Sequence, residues 1–168
     1  MTPQSIPCGF TYEVLTRRKS DHSVVSREVV HNRVPEEGLN LMCSVVFKAA
    51  PAPAALYVGL YSGSHAPSGQ ETAATFLTQV QEVSDYDDAT RKAFNPGVVA
   101  GGGVSNEQSL ARFSFGSEQT VNGVFISTAS AKGANTGALL SVVRLPTARK
   151  VDPAFYLEIL TGFQFVSI

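Results

Sequence analysis

A chain of 168 residues, 43% apolar and 16% charged, is long enough to bury one domain-sized core. Its net charge of −1 gives no overall attraction to nucleic acid, and no apolar run approaches the ~18 residues of a membrane span. The opening MTPQSIPCGF lacks a charged leader followed by an apolar stretch, so it does not read as a secretory signal.

Residues 1–9, with Pro3, Pro7 and Gly9, read as an extended arm. Phe10, Tyr12 and Val14 then alternate with Thr11, Glu13 and Leu15, the period-2 pattern of a strand. Arg17 to His22 is a polar hairpin tip, and Ser23 to Asn32 is a second, valine-rich strand. The hairpin reads as one that stands off the main body. Pro35 to Gly38 breaks the strand. Leu39, Met42, Cys43, Val46 and Phe47 recur at helical spacing, predicting a short amphipathic helix over 39–48 that packs this stripe on the core. Pro51 and Pro53 end it.

Ala54 to Tyr61 alternates as a strand, and Ser62 to Gly69 is a loop. Thr72 to Val83 is ambiguous, with Phe76, Leu77 and Val80 at helical spacing. Ala89 to Phe94 fits a short strand, and Asn95 to Gly103 a glycine-rich loop. The stretch Ala111 to Leu145 reads as three strands. They are Ala111 to Phe115, Val121 to Ile126 with Gly123 at a bulge or close approach, and Ala138 to Leu145 stopped by Pro146. Phe155, Leu157 and Ile159 alternate in a last strand, and the sequence closes on FQFVSI. The expected architecture is all-β: a single sandwich or jelly-roll-like barrel, capped by one short helix. It divides into an N-terminal arm and hairpin, 1–32, and a sandwich domain, 33–168.

Candidate chemistry is sparse. Gly59 to Gly63 superficially matches a nucleophile elbow, but that motif needs its serine in the middle, and Ser62 comes one place late. His65 is close by, with no acid in the pattern to orient it. Ala131 to Gly137 and Gly101 to Gly103 lack the order of a P-loop and read as turns. Asp85, Asp87 and Asp88 depart from a calcium loop after two positions and read as a solvated or partner-facing turn. Cys8 and Cys43 are the only cysteines. With no CxxC and no neighbouring histidine they read as free thiols, Cys43 buried on the helical stripe.

Four blocks, taken together, resemble a family of small structural proteins of tailed bacteriophages. They are Val30 to Leu41 (VHNRVPEEGLNL); Leu56 to Tyr61 (LYVGLY) with its Ser/Gly/Pro loop; Glu82 to Tyr86 with Ala89 to Phe94; and Ala111 to Phe115 with Val121 to Ile126, Gly137 to Leu140 and Val143 to Leu145. The resemblance covers most of residues 30–168 and implies a virion component with no catalysis and no cofactor. The leading expectation is a capsid decoration (cement or minor capsid) protein. Such a protein forms a homo-oligomer on the lattice and clamps the major capsid protein, in particles assembled in the bacterial host cytoplasm. The alternative is a tail- or fibre-associated protein that contacts host glycans. The hairpin is the candidate subunit contact: Phe10 and Tyr12 must be covered, either by the domain's own sheet, which the hairpin would then extend, or by a neighbour, in which case Arg17, Arg18 and Lys19 reach an acidic surface on it.

Overall fold

The computed structural model describes residues 8–165; the expected arm (1–7) and the closing 166–168 lie outside the described residues. Among the described residues ten strands form two antiparallel sheets that pack face to face, an open sandwich rather than a closed barrel. The first sheet runs β2 (Val24–His31), β1 (Cys8–Arg18), β10 (Phe155–Phe165) and β6 (Gly103–Ser105), with β7 (Ala111–Ser114) also on β10. The second runs β4 (Gln81–Val83), β3 (Leu56–Ser62), β8 (Gln119–Ser127) and β9 (Leu139–Val151), with β5 (Lys92–Phe94) also on β3. Two helices join them, α1 (Glu36–Lys48) and α2 (Ala73–Gln79). One capping helix was expected; α2 falls in the 72–83 stretch whose pattern was ambiguous.

The N-terminal hairpin is not a detached element. β1 lies between β2 and β10 and pairs with β10 from Cys8↔Phe165 to Arg18↔Phe155. Alternation does the rest: Phe10, Tyr12 and Val14 face inward with Leu157, Ile159 and Phe163, and all six are buried. The central 111–145 stretch, by contrast, is split between sheets. β7 pairs with β10, while β8 and β9 pair with each other on the opposite side. Nor does Pro146 stop its strand. β9 runs through it to Val151 along the outside of its sheet, where a residue without an N–H costs no ladder bond.

One polar network crosses between the layers. The Tyr12 hydroxyl donates to Ser141 Oγ, which also accepts from Asn32 Nδ2, and Asn32 Oδ1 accepts the Phe10 N–H. Both sheets and the linker after β2 are thereby fixed to one another. Burial pushes the Tyr12 phenol well above its ordinary value, against the opposing effect of its hydrogen bond to Ser141, so it stays a neutral donor.

The second sheet is covered on its outer face as well. Thr72 caps α2 through a reciprocal box with Thr75. The helix lays Phe76 edge-on against Tyr61 and Phe125, 5.3 Å from each ring centroid. Those two rings lie over glycines of the facing strand: Gly59 is opposite Phe125, and Gly123 is opposite Tyr61. A Cβ on Gly59 would sit 2.2 Å from the Phe125 ring, and one on Gly123 would sit 2.2 Å from Tyr61 and 2.3 Å from the Val143 carbonyl oxygen. The bare backbone is the floor on which each ring lies. A register shift between Val121 and Gly123 accompanies it, so the expected bulge and the expected close approach coincide.

Gly123→Val therefore forces apart a ring and a carbonyl that cannot both move. We expect a loss of about 3 kcal/mol or more, near 10 °C in melting temperature for a domain of this size. Gly116→Val, at a glycine outside the left-handed region whose Cβ would come no closer than 4.0 Å to Asp85 Oδ1, should lose clearly less. Equal melting temperatures for the two variants would show this packing argument to be wrong.

Candidate interaction surfaces

The hairpin tip is built by the β1–β10 pairing. Glu158, on the outer face of β10, is buried between two arginines. Arg17 Nε donates to Oε2 at 2.6 Å, and Arg112 Nη2 to Oε1 at 2.7 Å. That bond raises Arg112 above its ordinary value, and its guanidinium lies 4.8 Å over the Tyr156 ring. The Tyr156 hydroxyl in turn meets His22 Nδ1 at 3.1 Å. Arg17 is thus engaged within its own domain. Arg18, 3.8 Å from Asp21, and Lys19, tied only by its main chain to Ala154, keep exposed side chains. Phe10 and Tyr12 are 4% and 0% exposed and have no surface to offer a neighbour. The expected contact set divides accordingly: Arg18 and Lys19 are available, Arg17 in part, the two aromatics not.

The hydrolase-like pattern dissolves in the geometry. Ser62 Oγ donates to the Gln81 carbonyl, while His65 Nε2 meets Glu71 Oε1 at 2.9 Å. The histidine does have an acid partner, one the sequence pattern did not reveal, but nothing links it to Ser62. Glu71 instead closes the loop. Its carboxylate accepts from Ser68 N at 2.6 Å, Ser68 Oγ at 3.0 Å and Gly69 N at 2.8 Å. Burial opposes its ionisation, yet these donors outweigh burial and hold the carboxyl down at about 2.

Arg91 and Glu82, which carried no signal of their own, form a second buried centre. Arg91 Nε and Nη2 bind the two Glu82 oxygens at 2.8 and 2.9 Å, and the same guanidinium reaches Ser127 Oγ and the carbonyls of Ala129 and Ala134. The 131–137 loop is therefore wrapped on the protein's own charges, with Gly133 N donating to Glu82. Lys132 lies 3.6 Å over the Tyr86 ring, and burial lowers its ammonium below the ordinary value. Asp85 is held by Ser117 and Gln119, and Asp88 by Lys92. Among the described residues no group of three His, Cys, Asp or Glu side chains is placed to hold a metal ion.

The largest departure from expectation is on α1. Of the stripe expected to pack on the core, Val46 is 68% and Phe47 81% exposed, and Leu39 and Cys43 are exposed as well. Only Met42 is partly packed. The helix rests on the sandwich through a different face, Gly38, Leu41, Met42 and Val45. Gly38 is buried, and a Cβ there would meet Leu140 Cα at 2.9 Å. Both cysteines are free, Cys8 half-buried and Cys43 exposed rather than buried. No helix among the described residues is long and apolar enough to cross a membrane.

The Glu71 carboxyl sits below its unfolded value near 4.3, so it adds stability above that pH and loses it as pH falls toward 2. Glu71→Gln should lower stability at pH 7 by about 2 kcal/mol, and the gap from the wild type should narrow between pH 4.5 and pH 2. A gap that stayed constant with pH would remove the carboxylate from the account. No protein-family model matches the chain, and no curated protein matches its sequence.

Proposed function

We propose that the protein is a capsid decoration protein of a tailed bacteriophage, a binding component without catalysis. The four sequence blocks supply the class. The observation that supports a binding role is the apolar surface at α1, where Val46, Phe47 and Phe165 are 68%, 81% and 53% exposed. Water disfavours such a contiguous patch, and patches of this kind mark contact surfaces. On a lattice the same modest contact recurs at every site, so avidity multiplies it. Arg18 and Lys19 add a charged contact for an acidic stretch of a major capsid subunit, steering approach more than supplying affinity.

Purified protein should bind heads assembled without it, saturating at a fixed, high copy number spread over the shell. Raising salt should slow its binding, and Arg18→Ala with Lys19→Ala should remove most of that salt dependence. A few copies confined to one end of the particle would move the assignment to the tail. Failure to bind either structure would end the virion reading.

A further inference from the structure

The α1 helix is apolar on two of its three faces. Gly38, Leu41, Met42 and Val45 face the sandwich, and Asn40, Ser44 and Lys48 form a polar stripe. Leu39, Cys43, Val46 and Phe47 make a second apolar stripe with nothing over it among the described residues. A helix apolar over this much of its girth ordinarily has a cover on each apolar side. Beside the exposed stripe run two grooves of about 270 and 280 Å³, both lined by Met42, Val46 and Phe165. The patch thus carries a protruding ring, Phe47, next to the apolar clefts that a ring could fill.

We propose that this face binds the same face of a second copy about a two-fold axis, Phe47 of each copy entering the groove of the other. The inference deepens the reading of the α1 surface as a contact by naming its occupant. Two features favour a second copy over an unrelated partner. Knob and cleft lie side by side on one patch, which is what an isologous contact needs, since residue i must meet residue j while j meets i. None of the described residues that line the grooves carries a charge. A two-fold contact sets a patch against itself, where any charge would meet its like, and a charge-free face escapes that repulsion. Lys48 stands at the rim, on the polar stripe.

The test is sedimentation of the full chain over a concentration series, with the alkylation rate of Cys43 as a local probe. The apparent mass should rise from 17.8 kDa toward twice that value, with Cys43 alkylation slowing in parallel. Phe47→Asp, at an exposed position, should leave melting unchanged, weaken association by more than about tenfold and restore fast alkylation. Val25→Asp, at a valine 50% exposed on β2, should change neither. A monomer at every concentration overturns the proposal, and so does association that Phe47→Asp leaves intact or Cys43 labelling that is blind to concentration. Head binding is scored separately. Dimers that ignore heads would keep this contact and remove the decoration assignment, while a strict monomer that coats heads would do the reverse.

Discussion

One carboxylate holds the corner where the helices meet the second sheet. Glu37 Oε2 accepts the Ala73 N–H at 2.8 Å and the Leu139 N–H at 2.7 Å, so a side chain in the first turn of α1 ties down the starts of both α2 and β9. The neighbouring main chain repeats the link, Glu36 N donating to the Gly69 carbonyl. A charged acceptor bound by two main-chain donors is among the stronger hydrogen-bonded arrangements. It also explains why α1 approaches so closely that only glycine fits at position 38. With α1 and α2 set by the same group, Phe76 comes down over Tyr61 and Phe125, and the second sheet acquires its outer cover.

Buried charge elsewhere is handled the same way. Glu71, Glu82 and Glu158 each lie inside a cage of donors from the protein itself. Removing one partner of such a group costs more than the bond is worth, because the remaining charge stays desolvated. The loops that carried the elbow-like and P-loop-like patterns, 62–69 and 131–137, are therefore braced parts of the scaffold. The turn at Arg18 and Lys19 and the apolar side of α1, by contrast, keep exposed side chains for recognition.

The strands were largely legible, because alternation in Phe10 to Leu15 and Phe155 to Ile159 states which residues face inward. Pairing was not, since period 2 is the same whichever strand lies alongside. β1 could be read as a strand but not as the neighbour of β10, and β7 could not be separated from β8. On α1 the helical period was correct and the face was wrong. Two stripes of equal spacing compete there, and the one that packs begins at Gly38, a residue whose fit comes from having no side chain. Hydrophobicity counts rank Phe47 above glycine, while close contact with β9 ranks them the other way. Arg91 and Glu82 were invisible for a related reason, as an ion pair nine residues apart in sequence does not announce that it will be buried.

The pairing of β1 with β10 also bears on how the chain is made. The first described strand finds its partner in the last, more than 130 residues later, and loop closure of that length precedes any reward from the contacts. While the polypeptide emerges from the ribosome, the β1–β2 hairpin has Phe10, Tyr12 and Val14 on a face with nothing yet to cover it. The second sheet, whose strands lie between residues 56 and 151, can assemble first and offer that face a surface. Closure of the first sheet then waits on β10, so an incomplete chain presents an open, apolar sheet, the kind of intermediate from which aggregation begins.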